Sequence, residues 1–94
     1  MKPNVIKEYL TRLSEDSRIT VWHLATFHAL IHLWMQHNEI SPFPISRKKI
    51  MENAHIKSNT TYHKCIKDLQ LFNYIRYHPS YHPLLGSTVW FVQL

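Results

Sequence analysis

The polar side chains that follow Ser58 could make directional contacts with another molecule. Between apolar positions typical of the buried side of a helix, the outward positions carry an amide, hydroxyls, an imidazole and amines, namely Asn59, Thr60, Thr61, His63, Lys64 and Lys67. An asparagine amide can pair with the edge of adenine, a threonine methyl can pack on thymine, and lysine can contact guanine or phosphate. This pattern favours contact with the bases and backbone of double-stranded DNA, although an ordinary solvated helix face is the alternative.

Basic residues also stand at the start of the preceding segment. Arg47, Lys48 and Lys49 follow Ser46, which is a favourable N-cap residue. The helix dipole disfavours cations at this end, so these charges gain little from the fold and we interpret them as phosphate contacts. Ser46 and the free backbone N–H groups of the same helix end could add hydrogen bonds to phosphate. Lys57, between the two helices, is assigned to the same interface.

The formal charge of the chain is unevenly distributed. Residues 1–44 contain four basic and four acidic residues, whereas residues 45–94 contain seven basic and two acidic ones. The whole formal net charge of +5 therefore lies in the second half. A clustered positive field attracts polyanions, but a solvated basic face has the same composition.

Length and composition indicate one folded domain. The chain has 94 residues, of which 45% are hydrophobic, and this length accommodates one core. Cys65 is the only cysteine, which excludes an intramolecular disulfide, and we expect it to be a buried thiol rather than a nucleophile. The N-terminus lacks an apolar leader and histidines interrupt the most apolar stretch, 21–35. We therefore expect no membrane contact and a cytoplasmic, nucleoid-associated protein.

Two helices are predicted in the first half. Asn4 is expected to cap a helix over about Val5–Leu13, whose apolar residues repeat every three or four positions. Thr20 is expected to begin a long helix that reaches about His37. Because this helix is apolar on most sides, we expect it to lie centrally in the fold.

The second half predicts a helix-turn-helix. A short edge strand is expected at 43–45, because the prolines there disfavour helix. Ser46 then caps a helix over 47–54, and Ser58 caps a second helix that ends near Asn73. Two helices joined by so short a turn form a helix-turn-helix.

A β-hairpin is predicted after the second of these helices. Residues 74–78 and 88–92 have the aromatic and β-branched content of strands. Residues 79–87 between them contain the only glycine and two of the five prolines, which is typical of a long tip. Tyr81 and His82 of this tip are further candidate DNA contacts.

The order of these elements resembles the winged helix-turn-helix superfamily. The segment 61–75, TYHKCIKDLQLFNYI, is similar to a recognition helix with a polar opening, inward Ile66 and Leu69, and an aromatic residue before the first wing strand. The chain looks in particular like short winged-helix proteins of bacterial mobile elements, and like the N-terminal domains of plasmid replication initiators and DnaD-type primosomal proteins.

The resemblance implies an α+β fold in a single domain of residues 1–94, with the helix-turn-helix at about 46–73 and the wing at about 74–94. It implies double-stranded DNA binding without catalysis, in a transcriptional regulator or in a replication or mobile-element machine with protein partners. By position, the contacts would come from Ser58, Asn59, Thr60, Thr61, His63, Lys64 and Lys67, and in the wing from Ser80, Tyr81, His82 and Ser87. The tip of the wing, residues 79–87, lacks Lys and Arg, which argues against deep minor-groove insertion.

Other functions leave weaker signals. A protein-interaction module is the alternative, since Tyr81, Leu84 and Leu85 would give the wing an apolar tip. His28 and His32 stand four residues apart, but no His-Glu-x-x-His or paired cysteines accompany them, so we expect no metal and no cofactor. A homodimer through the first two helices is left open. Most aromatic residues are expected in the core, namely Trp22, Phe27, Trp34, Phe72, Tyr74, Trp90 and Phe91.

Overall fold

Four helices and a three-stranded antiparallel sheet are formed by residues 3–80 and 86–92, the part of the chain that the computed structural model describes. For Pro3 and Asn4 the description is limited to the backbone. The elements are α1 (Pro3–Glu15), α2 (Val21–Gln36), β1 (Phe43–Ile45), α3 (Arg47–Ala54), α4 (Asn59–Leu71), β2 (Ile75–His78) and β3 (Ser87–Phe91). This α+β architecture is compatible with the predicted winged helix. None of the described helices is long and apolar enough to cross a membrane.

Three of the predicted helix starts are confirmed by their capping contacts. The Ser46 hydroxyl accepts the Lys49 backbone N–H at 3.3 Å, and the Ser58 hydroxyl accepts that of Thr61 at 3.2 Å. Thr20 caps α2 in the same way: its side chain accepts the His23 backbone N–H. The Thr20 backbone N–H in turn donates to the His23 side chain. Each cap satisfies a backbone donor that the first turn leaves without an intrahelical acceptor, which is why these residues define where the helices begin.

The predicted start of the first helix is wrong. α1 begins at Pro3, so Asn4 lies within its first turn instead of preceding it. Proline suits a first helical position because its φ is fixed near the helical value and its missing N–H has no intrahelical acceptor there. α4 ends at Leu71 with Phe72 as its C-cap, close to the predicted end near Asn73, whose φ of 68° turns the chain out of the helix.

The sheet has the order β1-β3-β2, with β3 in the centre. Residues 43 and 77 both pair with Val89, while Arg76 pairs with Trp90 on the opposite face. Because successive strand residues point to opposite sides, Val89 faces the core while Trp90 faces solvent. β1 contains Pro44, which is tolerated because β1 is an edge strand, as predicted.

The aromatic core is centred on Phe91. Its ring lies 5.2–6.0 Å, centroid to centroid, from four other rings, those of Phe27, Phe43, Tyr9 and Trp34. α2 packs against α3, α4 and β1, so it lies centrally in the fold as expected. These elements cover only one side of α2. Two aromatic residues predicted in the core are exposed, Trp22 by 51% and Trp90 by 37%. Each directly precedes in sequence a residue whose side chain is buried: Trp22 precedes His23 on α2, and Trp90 precedes Phe91 on β3.

Candidate nucleic-acid interface

A tight turn joins α3 to α4 and sets their relative position. His55 adopts a left-handed conformation with φ 58° and ends α3. The next backbone N–H, of Ile56, donates to the Met51 carbonyl at 2.9 Å, and the Ile56 side chain is buried. With Ile56 anchored in the core, Lys57 and Ser58 remain exposed at the start of α4.

One side of α4 is fixed in the core and the other carries the predicted contacts. Tyr62, Cys65, Ile66 and Leu69 are buried, as predicted. The remaining candidate positions are exposed, except for half-buried Thr61; the exposed ones are Asn59, Thr60, His63, Lys64 and Lys67. The helical spacing of the buried side chains therefore leaves the candidate positions accessible to a ligand.

The starts of α3 and α4 share a surface cleft of about 470 Å³. Four candidate residues contribute to its lining, namely Arg47, Lys48, Lys57 and Asn59, together with Met51, Glu52, His55 and Ile56. Lys49 instead lines a neighbouring cleft between α2 and α3, beside His32 and Gln36. The structure thus brings two of the three consecutive basic residues to the junction of α3 and α4 and separates the third from them.

The candidate cations differ in their ionic contacts. Lys64 Nζ lies 3.4 Å from Asp68 Oδ2, one turn further along α4. The ion pairs found within residues 3–80 and 86–92 include none of the other candidate cations, Arg47, Lys48, Lys49, Lys57 and Lys67. An anion would have to compete with Asp68 for Lys64, whereas these other cations form no ion pair with a described carboxylate, although Glu52 lines the same clefts as Arg47, Lys48, Lys49 and Lys57.

The Tyr62 side chain is buried on the inner side of α4. The pKa of its phenol is raised to about 12, mainly by burial and to a smaller extent by Tyr77 on β2, while Arg47 on α3 lowers it. α4 also packs against β2.

The base of the hairpin is held by hydrogen bonds to Ser87. The Tyr77 hydroxyl donates to Ser87 Oγ at 3.0 Å, and the Ser80 backbone N–H donates to the same atom at 3.4 Å. Gly86 before it has a φ of +64°, a conformation that side chains disfavour. The candidate contacts Tyr81 and His82, like Leu84 and Leu85 of the alternative function, lie outside the described residues.

Sequence reasoning missed a buried contact between α2 and α4. The Thr20 backbone N–H donates to His23 Nδ1 at 2.9 Å, so the proton of the neutral imidazole lies on Nε2. That nitrogen is 2.9 Å from Asp68 Oδ2, and His23 is buried. The hydrogen bond from His23, with a smaller effect of Lys64, lowers the pKa of Asp68. Forty-five positions separate the two partners, and no local spacing indicates their contact.

A second missed cluster connects the end of α1 with the end of α4. The Arg12 guanidinium donates to the Phe72 carbonyl at 3.2 Å and lies 4.3 Å from the centre of the Tyr74 ring. The Tyr74 hydroxyl donates to Asp16 Oδ2 at 2.8 Å. Hydrogen bonds from Arg18 are the main reason why the pKa of Asp16 is well below its usual range. These contacts brace the end of α4.

Groups suited to metal or nucleophilic chemistry are not assembled in the described part of the chain. Within residues 3–80 and 86–92, no three His, Cys, Asp or Glu side chains are grouped so that they could hold a metal ion. Burial raises the pKa of the Cys65 thiol, which disfavours the reactive thiolate. Cys65 is thus the buried thiol that was predicted.

The cleft at the junction of α3 and α4 offers an anion the cations Arg47, Lys48 and Lys57 and the Asn59 amide. Comparison with known proteins gives no assignment for it: no family model, no curated protein and no solved structure matches this chain.

Proposed function

We propose that this chain is a winged-helix protein that binds double-stranded DNA without catalysing a reaction. In this proposal α3 and α4 form the helix-turn-helix, α4 is the recognition helix, and the hairpin of β2 and β3 is the wing. The observation that carries the proposal is the cleft between α3 and α4, where Arg47, Lys48 and Lys57 meet Asn59. DNA offers the phosphates and base edges that this combination of groups can contact.

The charge at the start of α3 supports phosphate as the ligand. The first turn of α3 contains three basic residues and no acidic one, although the helix dipole there favours anions. A phosphate would be stabilised both by the dipole and by the Arg47 and Lys48 side chains. Glu52 lies in the same cleft and would oppose an anion, so we expect the phosphate closer to Arg47 and Lys48 than to Glu52.

The exposed side of α4 supports base contact. α4 has 13 residues, and the major groove, roughly 12 Å wide, admits a helix of this kind. We assign Asn59 and Thr60 to base edges, since they lie in the first turn. Lys48, Lys57 and Lys67 are assigned to phosphates. Lys64 is given a smaller share because it is paired with Asp68.

The salt dependence of binding to a fluorescent random-sequence duplex tests the proposal. With about four to six phosphate contacts, we expect log affinity to fall with log salt at a slope of roughly −4 to −5. Lys48→Ala should reduce the magnitude of this slope by about 1. Lys7→Ala is the matched control, because it removes the same charge from an exposed position on α1. A slope near zero would favour the protein-interaction alternative and contradict DNA binding.

Variants of α4 separate base reading from general affinity. After selection of a preferred site from random duplexes, Asn59→Ala or Thr60→Ala should cost about 1–3 kcal/mol on that site. Binding to random duplex should change little, because phosphate contacts are kept. If both variants retain full sequence preference, while changes at Tyr81 or His82 abolish it, the wing reads the sequence and the role assigned to α4 is wrong. A palindromic preferred site would support a regulator, and an asymmetric or repeated one a replication or recombination role.

A further inference from the structure

One carboxylate oxygen of Asp68 contacts both a buried and an exposed side chain. His23 Nε2 lies 2.9 Å from Asp68 Oδ2, and Lys64 Nζ lies 3.4 Å from the same oxygen. The His23 side chain is 5% exposed and that of Asp68 14%, whereas that of Lys64 is 72% exposed. Asp68 therefore lies where the core meets the exposed side of α4.

Asp68 is held in place from the side of the core. The Thr20 backbone N–H donates to His23 Nδ1 at 2.9 Å, so His23 carries its proton on Nε2 and donates it to Asp68. If the carboxylate turned away, this buried N–H would lose its acceptor, which is unfavourable. Asp68 thus cannot follow the Lys64 side chain, and the ion pair forms only where Lys64 reaches Asp68.

The helix itself gives no reason for a negative charge at Asp68. Asp68 is the only acidic residue of α4 and lies in its last turn, where the helix dipole disfavours anions. A lysine four residues before its acidic partner is also the less favourable order for an ion pair on a helix. An amide oxygen could accept the His23 proton as well. The charge strengthens that hydrogen bond and, in addition, attracts Lys64.

The two lysines of α4 are not equally available to an anion. Both are exposed, but among residues 3–80 and 86–92 Lys64 forms an ion pair and Lys67 forms none. The hydrogen bond from His23 lowers the pKa of Asp68, so its carboxylate is ionised at neutral pH. A phosphate that approaches Lys64 must displace this carboxylate and is also repelled by it.

We propose that Asp68, anchored by His23, is a positioning residue that holds Lys64 away from phosphate and so limits sequence-independent binding of DNA by α4. This inference rests on the DNA binding proposed above and adds a restraint to it. Attraction to phosphate strengthens binding to every random site that competes with a preferred one. A restrained Lys64 therefore helps α4 to discriminate between sites.

Alanine variants of the two lysines test the restraint without altering Asp68. On the fluorescent random-sequence duplex, Lys67→Ala should reduce the magnitude of the salt slope by about 1, and Lys64→Ala by less than about 0.5. Both side chains are exposed, so neither variant should alter the fold, which circular dichroism checks. Equal reductions in the two variants, or none in either, would overturn the proposal.

Asp68→Asn removes the charge and keeps an acceptor for His23. Random-duplex affinity should rise by about two- to fivefold, which is what release from one exposed ion pair is worth. A damaged fold would instead weaken binding, so the direction of the change separates the two causes. Glu8→Gln is the matched control, because it removes the same charge from an exposed position on α1 and should leave the affinity nearly unchanged.

A double-mutant cycle shows whether Asp68 acts through Lys64. In the Lys64→Ala background, Asp68→Asn should raise random-duplex affinity by less than about 1.5-fold, because no lysine remains to be released. A gain as large as in the wild-type background would overturn the proposal, since Asp68 would then act on DNA directly. A wild-type salt slope near zero would contradict DNA binding itself. A steep wild-type slope with no gain in Asp68→Asn would contradict only the restraint on Lys64.

Discussion

Replacing Asp68 by alanine should destabilise the fold mainly through His23. The His23 imidazole donates from Nε2 to Asp68 at 2.9 Å, and its other nitrogen is occupied by the Thr20 backbone N–H. The ring is buried, so in Asp68→Ala the Nε2 proton has neither Asp68 nor bulk water as an acceptor. A buried donor without a partner costs about 1–3 kcal/mol.

The contact between Asp68 and Lys64 adds little to this loss. Lys64 is largely exposed and forms an i,i+4 pair with Asp68, which is worth about 0.5 kcal/mol or less. We therefore expect Asp68→Ala to lower the free energy of unfolding by about 2 kcal/mol, corresponding to a decrease in Tm of roughly 8–16 °C for a domain of this size. Asp68→Asn should lose less, because its amide oxygen can still accept the proton.

Urea denaturation at neutral pH and again in acid measures this effect. The pKa of Asp68 is lowered in the fold, so its contribution is present above the ordinary aspartate value of about 3.9 and disappears as pH falls through the lower folded value. The difference between wild type and Asp68→Ala should thus shrink below about pH 4. Asp16, whose pKa is also lowered, is present in both proteins and cancels from the comparison.

Lys64→Ala is the control for the ionic part of the contact. If it destabilises the protein as much as Asp68→Ala does, the surface ion pair and not the buried imidazole carries the energy. If Asp68→Ala is within about 0.5 kcal/mol of wild type, His23 has found another acceptor and the reasoning fails.

Three further predictions concern the frame around the candidate interface. Ser46→Ala should cost about 1 kcal/mol in urea denaturation, because the Lys49 backbone N–H loses its acceptor; a value near zero would contradict the capping role. Phe91→Ala should cost about 3–5 kcal/mol, since Phe91 contacts four core rings, and its Tm should fall accordingly. Burial raises the pKa of Tyr62 and Tyr74 to about 12, so the stability that these phenols contribute is complete below about pH 10 and lost as pH rises through 12. Ultraviolet titration should show phenolate forming together with unfolding, and ionisation of all tyrosines near pH 10 in the folded protein would contradict this.

Local signals in the sequence were sufficient to predict most elements. Ser46 and Ser58 mark helix starts because their hydroxyls satisfy neighbouring backbone N–H groups, an effect that involves only three residues. The spacing of Tyr62, Ile66 and Leu69 indicated which side of α4 is buried, because helical periodicity is itself local. The accessible positions of α4 follow from the same periodicity.

Contacts between distant segments could not be predicted in this way. His23 meets Asp68 because α2 packs beside α4, and Arg12 meets the end of α4 because α1 lies near it. In the sequence, nothing distinguishes these side chains from ordinary polar residues on a helix surface. The exposure of Trp22 was also unpredictable from composition, since apolar residues surround α2 and the sequence does not tell which of them the core covers.

The sequence by itself determined where helices and strands form and which half of the chain is basic, because capping, periodicity and charge are properties of short segments. Only the tertiary structure decided that Arg47, Lys48, Lys57 and Asn59 share one cleft while Lys49 lines another. The physical reason is that the turn at His55 and the burial of neighbouring apolar residues fix how α3 and α4 are oriented, and this orientation depends on packing against α2 and the sheet.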